Sequence, residues 1–166
     1  MKNSPIETER KYLIRYPDTE ALSRMDGVQI WHIAQTDLRT EGARVRRLEE
    51  KGEIRFIRTD KKRISALSSF EEEREITEAE YSLLLADADP ERKTIEKIRY
   101  RIPWLDFLCE IDVYSFWDDR ATLEMELPSE DVCPPIPPFV SLVREVSGDK
   151  RYSNRAMAKE IPADTL

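Results

Sequence analysis

The chain has 166 residues, which suits one ordinary domain with a hydrophobic core. Charged residues make up 37% of it, well above the usual quarter, and 34 acidic against 27 basic residues give a net charge of −7. This balance argues against non-specific nucleic-acid binding, and the lack of a long apolar run argues against a membrane span or a secretory signal, so we expect a cytoplasmic protein without nucleic-acid or membrane partners.

Residue types that often carry catalysis are scarce. The sequence has one histidine, His32, and its two cysteines, Cys109 and Cys133, lack metal-ligand spacing, so we interpret them as reduced thiols. None of the four glycines lies in a phosphate-binding loop, and no Gly-x-Ser-x-Gly motif is present. A Ser–His or Cys–His hydrolase and a glycine-cradled nucleotide site are therefore disfavoured.

Alternating and helical periodicities predict a mainly β chain with a few helices. In chain order, the predicted elements are strand 5–15, helix 18–26, strands 28–37, 43–50, 53–61 and 70–76, helix 77–88, strands 94–102, 107–116 and 120–127, helix 138–147, and a short helix from Ser153. Because short turns join most consecutive strands, we expect antiparallel pairing within a single domain over 1–166.

Two of the predicted helices rest on local signals. Thr77 and Glu80 form a capping box at the start of the helix over 77–88. The helix over 138–147 begins at Pro138, a favoured first position, and an apolar face recurs along it at helical spacing. That face consists of Phe139, Leu142, Val143 and Val146.

One face of most strands carries charges of a single sign. Acidic rows are Glu7/Glu9, Glu71/Glu73/Glu75, Glu110/Asp112 and Glu124/Glu126, and basic rows are Arg44/Arg46 and Lys97/Arg99/Arg101, with Lys61 beside Thr59. A solvated sheet face explains any one strand, but blocks of like charge destabilise unless something neutralises them. Basic rows suit a polyanion and carboxylate pairs suit divalent cations, so a polyphosphate–metal complex satisfies both. Eight strands are also about the number that closes a barrel, whose inner face would then be a polar tunnel.

Several motifs follow one another in a recognisable order. The stretch "IETERKYLI" has the pattern Glu-x-Glu-x-Lys, and it is followed by "RVR" at 44–46, "TDK" at 59–61, "ERE" at 73–75, "KIR" at 97–99, "EID" at 110–112, "EME" at 124–126 and "REVSGDKRYSNRAMA" at 144–158. Over about residues 5–158 the chain resembles the CYTH superfamily, the triphosphate tunnel metalloenzymes. The resemblance implies an α+β, mainly β fold: an eight-stranded antiparallel barrel that forms a tunnel with flanking helices. It also implies hydrolysis or rearrangement of triphosphates with Mg²⁺ or Mn²⁺.

The resemblance assigns roles to individual residues. It implies triphosphate binding by Lys11, Arg44, Arg46, Lys61, Lys97, Arg99 and Lys150, metal binding by Glu7, Glu9, Glu124 and Glu126, and catalysis or water positioning by Lys11, Glu73, Glu75, Glu110 and Asp112. Two motif matches leave alternatives open, because Lys62 competes with Lys61 and the glutamate pair is either Glu71/Glu73 or Glu73/Glu75.

Among the family's activities we favour hydrolysis of inorganic triphosphate to pyrophosphate and phosphate. The chain is short for the fold and has no aromatic-rich insertion to hold a base or a thiazolium ring. A nucleoside or thiamine triphosphatase and a class IV adenylyl cyclase are the alternatives, and a non-catalytic polyphosphate- or nucleotide-binding module is the alternative of another class. We expect a monomer or a homodimer.

Overall fold

The computed structural model describes residues 4–166, most of which belong to one large antiparallel sheet. Its strands are β1 (Ile6–Arg15), β2 (Gln29–Asp37), β3 (Ala43–Glu50), β4 (Glu53–Arg63), β5 (Ser68–Ile76), β6 (Ile95–Trp104), β7 (Phe107–Tyr114), β8 (Arg120–Glu126) and β9 (Leu142–Glu145). The helices are short: α1 (Thr19–Ser23), α2 (Glu78–Leu85) and α3 (Asn154–Met157), with a 3-10 turn over Lys150–Tyr152.

The first eight strands close into a barrel. Their order around it is β5-β4-β3-β2-β6-β7-β8-β1, and the start of β1 pairs with the start of β5, where Ile6 lies opposite Phe70. This confirms the predicted eight-stranded antiparallel barrel. All eight strands lie within a few residues of their predicted bounds, because short turns and strict alternation leave little freedom in register.

The helix predicted over 138–147 is wrong, since this segment supplies the additional strand β9. Only the first residues of β1 pair with β5, which leaves the edge of β1 free farther along the chain. There β9 adds antiparallel, with Tyr12 opposite Glu145 and Leu13 opposite Arg144. The free edge offers backbone hydrogen bonds, and the β-branched Val143 favours a strand, so pairing overrides a helical pattern of apolar residues.

The other predicted helices exist, and α1 and α2 are shorter than their predicted ranges. Asp18 caps α1 by accepting from the Ala21 amide at 3.0 Å, and Thr77 caps α2 by accepting from the Glu80 amide at 3.1 Å. Ser153 caps α3 in the same way, as the sequence predicts. No helix within 4–166 combines the length and apolar character that a membrane crossing requires.

The largest apolar cluster lies on the outer face of the barrel. Its fully buried members alternate along the strands with the charged rows; they include Ile14, Ile102, Ile111, Leu123 and Met125. Residues of α1 and of the 136–140 connector cover this outer face. The usual arrangement of a small barrel is thereby inverted, and the inner face is left to polar side chains.

A second apolar cluster closes one end of the barrel interior. Leu13, Ile95 and Tyr114 share the inward faces of their strands with the charged rows, and they pack against Tyr152 and Met157 of the C-terminal segment. This segment therefore contributes to the wall of the interior as well as to the outside of the fold.

Candidate active site

The barrel encloses a polar cavity of about 400 Å³. The side chains that line it come mainly from the inward positions of the strands: Glu7, Glu9, Trp31, Gln35, Arg44, Arg46, Arg55, Ile57, Lys61, Glu71, Glu73, Lys97, Arg99, Arg101, Glu110, Glu124, Glu126 and Asn154. Most of the residues predicted for the site are among them. The like-signed rows of separate strands thus converge on one space.

The lining is divided into an acidic half and a basic half. Every lining carboxylate lies on β7, β8, β1 or β5, which are consecutive around the barrel. Every lining lysine or arginine lies on β4, β3 or β6, and β2 between them contributes Trp31 and Gln35. Ion pairs join the two halves at their borders, and a ligand that carries both signs of charge can contact both halves.

Three carboxylates of the acidic half form a compact cluster. Oxygen atoms of Glu9, Glu110 and Glu124 lie within 4.8 Å of one another. Burial, together with the charge of Glu124, raises the pKa of Glu9 well above its ordinary value. Burial also acts to raise the pKa of Glu124, but the cations Lys11 and Arg99 outweigh it and lower that pKa to about 2. Glu9 thus holds a proton more readily than Glu124 does.

Hard carboxylate oxygens at this spacing could hold a divalent cation. The cluster differs from the predicted metal set, because Glu110 joins Glu9 and Glu124 in it. Glu7 and Glu126, the other two residues predicted to bind metal, line the same cavity.

At the border between the two halves, where β6 pairs with β7, Asp112 binds two of the bases. The Lys97 ammonium donates to its Oδ2 at 2.9 Å, and Arg99 donates to its Oδ1 at 2.7 Å from Nε and to its Oδ2 at 2.8 Å from Nη2. Arg99 and Arg101 also donate to Glu110. Burial lowers the pKa of Lys97 to about 8, because Asp112 offsets only part of the loss of water.

Farther round the basic half, Arg46 and Lys61 have carboxylate partners on β5. Arg46 Nη2 donates to Glu73 at 3.0 Å, and Lys61 Nζ lies 3.5 Å from Glu71. The Nε atoms of Arg44 and Arg46 are buried and make no hydrogen bond within the described chain. Burial lowers the pKa of Arg46 to about 10. Both arginines therefore retain donors that a bound anion would satisfy.

The structure places the alternative residues of the two ambiguous motifs, "TDK" at 59–61 and "ERE" at 73–75, on different sides of the barrel wall or at different depths. Lys61 lines the cavity, whereas Lys62 is exposed on the other face of β4. Glu71 and Glu73 line the cavity, whereas Glu75 is exposed beyond the lining.

Three further predicted residues lie outside the cavity lining. Asp112 is fully buried behind Lys97 and Arg99, and Lys150 is exposed on the 3-10 turn. Lys11 lies beside the carboxylate cluster, 3.6 Å from Glu124, and donates to the Tyr152 carbonyl at 2.6 Å.

Sequence reasoning missed several lining residues. Trp31 and Arg55 occupy inward positions by the same alternation, and that signal was available in the sequence. The guanidinium of Arg101 lies 4.3 Å from the centre of the Trp31 ring and that of Arg55 lies 5.7 Å from it. Asn154 carried no strand signal, because it enters from the C-terminal segment.

The chain resembles known triphosphatases in both sequence and structure. It is 32% identical over 120 residues to an inorganic triphosphatase of Acetivibrio thermocellus, a stretch that covers 72% of each chain. The crystal structure of the inorganic triphosphatase NE1496 matches with a TM-score of 0.57 and 27% identity, covering 95% of this chain and 100% of that one. The PH1012 protein from Pyrococcus horikoshii has the same fold, with a TM-score of 0.51, 15% identity, and 75% and 80% of the two chains covered. No family model matches the chain.

Proposed function

The chain belongs to the CYTH superfamily, the triphosphate tunnel metalloenzymes, and we propose that it hydrolyses inorganic triphosphate to pyrophosphate and phosphate with the aid of a divalent cation. The observation that carries this proposal is the division of one cavity into a carboxylate half and a lysine–arginine half. A triphosphate with its cation is the ligand whose charges match both halves. The name of the Acetivibrio relative, an inorganic triphosphatase, supports the same activity.

The basic half binds the phosphate chain. Arg44 and Arg46 offer buried Nε donors that have no hydrogen-bond partner among residues 4–166, and Arg99 presents a guanidinium already oriented by Asp112. Charge-assisted hydrogen bonds from such groups to phosphate oxygens are stronger than neutral ones and grow in value as charge shifts in the transition state. Lys61 and Lys97 add ammonium groups to the same wall.

The acidic half provides the cation site. Glu9, Glu110 and Glu124 would hold Mg²⁺ or Mn²⁺, and Glu7 and Glu126 lie in the same lining. When bound, the divalent cation neutralises phosphate charge and makes water a better nucleophile.

Water positioning falls to a carboxylate that reaches the cavity. Glu73 and Glu110 line it, so either can accept a hydrogen bond from water beside the phosphate chain. Asp112 has no exposed surface and is occupied by Lys97 and Arg99, so its proposed role is to orient those two bases.

The rim of the cavity supports an inorganic substrate over a nucleotide. Trp31 is the aromatic residue of the described lining, and its ring is engaged by Arg55 and Arg101. Its indole nitrogen donates to Glu50 at 3.0 Å, which fixes the ring. A ring held in this way is a poor platform for a nucleobase, and Arg55 instead adds positive charge near the phosphates.

Product analysis tests the proposal directly. Tripolyphosphate incubated with the protein and Mg²⁺ or Mn²⁺ should give pyrophosphate and phosphate in equal amounts by ion chromatography. Arg46→Gln should lower kcat/KM by about 100-fold, the scale of a lost transition-state donor, while Arg47→Gln on the outer face of the same strand should stay near wild type. A melting point raised by tripolyphosphate without product would identify a binding module, and the absence of both effects would refute a triphosphate site.

A further inference from the structure

Lys11 is the lysine of the Glu-x-Glu-x-Lys pattern, and its ammonium donates a hydrogen bond to the C-terminal part of the chain. We infer that Asp164 is a positioning residue that holds Lys11 in place by locking Tyr152, whose carbonyl accepts a hydrogen bond from Lys11. The inference rests on the proposed function, because Lys11 lies beside the carboxylate cluster of that site.

Asp164 is at the centre of a network around the Tyr152 ring. Its Oδ2 accepts from the Tyr152 hydroxyl at 2.6 Å and from Arg144 at 2.6 Å, and its Oδ1 accepts from Arg151 at 3.0 Å. Arg120 donates to the Asp164 backbone carbonyl at 2.5 Å. One side chain thereby joins β9, the 3-10 turn and the last residues of the chain.

The other end of Tyr152 reaches the active site. The Lys11 ammonium donates to the Tyr152 carbonyl at 2.6 Å and lies 3.6 Å from Glu124. The backbone of Lys11 is held by the same segment, since its amide donates to Ser147 at 2.9 Å and its carbonyl accepts from Val146 at 2.8 Å. One N–H of the ammonium is thus committed to the carbonyl, which holds the charge of Lys11 beside Glu124.

Asp164 is the carboxylate that binds both guanidinium groups at the Tyr152 ring, whereas Asp149 binds Arg151 alone. The guanidinium groups of Arg144 and Arg151 each lie 5.5 Å from the centre of the Tyr152 ring, so two cations share one ring. Removing the carboxylate takes one of two negative charges from this cluster, and within the described chain it leaves Arg144 as the remaining partner of the hydroxyl of a fully buried tyrosine. Asp149 caps the 3-10 turn, but a turn of three residues is weakly held by its own hydrogen bonds, so we expect the Tyr152 carbonyl to shift away from Lys11 when Asp164 is lost.

A double-mutant cycle distinguishes positioning from general stabilisation. In an otherwise wild-type protein, Asp164→Ala should lower kcat/KM for tripolyphosphate by about tenfold, because Lys11 is misplaced. In the Lys11→Ala background the same change should cost less than about twofold, because the residue through which Asp164 acts is already gone. Asp164→Asn, which keeps the shape and loses the charge, repeats the cycle if the alanine variant does not fold.

The matched control is Asp60→Ala. Asp60 also accepts two hydrogen bonds from an arginine, Arg58, but it lies on the outer face of β4 away from Lys11. The Asp60→Ala substitution should leave kcat/KM for tripolyphosphate within about twofold of wild type. Equal losses from Asp164→Ala in both backgrounds, or full activity in a folded Asp164→Asn protein, would overturn the inference while leaving the triphosphatase intact. A wild-type protein that releases no phosphate would overturn both.

Discussion

Lys97 and Asp112 form an ion pair that is shielded from water: Lys97 Nζ lies 2.9 Å from Asp112 Oδ2, and each side chain is 1% exposed. Arg99 binds the same carboxylate. Asp112 thus gathers two cations that would otherwise repel each other, and it fixes both at the cavity wall. The same ion pair therefore stabilises the barrel and positions the bases that would bind phosphate.

Replacing this carboxylate should therefore destabilise the fold. Asp112→Asn leaves two buried cations short of one negative charge, and such losses typically cost about 3–5 kcal/mol. Urea denaturation measures the difference, with Asp60→Asn in the half-exposed pair with Arg58 as the control, expected to change stability by less than about 1 kcal/mol. Equal effects of the two substitutions would contradict the role of Asp112.

Stability should also depend on pH through the same residue. The cations Arg99 and Lys97 outweigh burial and hold the pKa of Asp112 below its ordinary value. Its contribution is therefore fully present above the unfolded-state value of about 4 and is lost as the pH falls towards the folded-state pKa. Melting temperatures should be measured from about pH 6 to about pH 3, a range that spans the unfolded-state pKa. They should fall with acid in the wild type and fall less steeply in Asp112→Asn.

Cation binding should release a proton. Burial and Glu124 raise the pKa of Glu9, so in the ligand-free protein Glu9 keeps its proton at pH values where an unfolded chain has lost it. The raised pKa of Glu9 therefore lowers the free energy of unfolding as the pH rises from the unfolded-state pKa to the folded-state pKa. A bound cation favours the ionised carboxylate and offsets this loss.

Calorimetry of Mn²⁺ binding in two buffers with different heats of ionisation measures the released proton. We expect affinity to rise with pH up to the folded pKa and the proton release to disappear in Glu9→Gln. Glu145→Gln, in the exposed pair with Arg10, should behave as wild type. Proton release that persists in Glu9→Gln would assign it to another group.

The two neighbouring lysines of β4 should differ sharply. Lys61 faces Glu71 across the ladder and lines the cavity, whereas Lys62 is exposed outside. Lys61→Ala should lower kcat/KM for tripolyphosphate by about 100-fold, while Lys62→Ala should change it by less than about twofold. Steady-state kinetics decide the matter, and a larger effect at Lys62 would show that the motif is in the other register.

Asn154 should contribute a neutral donor to the site. The buried Tyr114 hydroxyl donates to its Oδ1 at 2.7 Å, which directs the amide NH₂ group towards the cavity that Asn154 lines. Asn154→Ala should weaken tripolyphosphate binding by about tenfold, the value of one hydrogen bond to a charged group. Asn154→Asp should be worse, because it places a carboxylate against phosphate. If the aspartate variant binds as well as the alanine variant, Asn154 does not contact the substrate.

The extent to which sequence predicts this site depends on the element involved. The inward rows such as Glu7/Glu9 and Arg44/Arg46 follow from alternation, because a strand presents every second residue to one face. Alternation does not report depth, so Glu110 and Asp112 share a face and yet one lines the cavity while the other is buried behind it. Depth depends on where neighbouring strands end, which only the closed barrel determines.

The C-terminal part of the chain was the hardest to predict. Its apolar spacing over 138–147 fits a helix, but the segment pairs with the free edge of β1, a long-range contact that no local pattern contains. Asn154 and Asp164 act through Tyr114 and Tyr152, and nothing in their own neighbourhood in the sequence indicates those partners.

Placing the apolar core on the outer face of the barrel separates two kinds of evolutionary constraint. Substitutions among the charged side chains that line the cavity change the anion site while leaving in place the hydrophobic contacts of the outer face. A lineage with this architecture can therefore explore new substrates by replacing one cavity-lining residue at a time, provided that the fully buried Asp112 and the apolar end of the interior are kept.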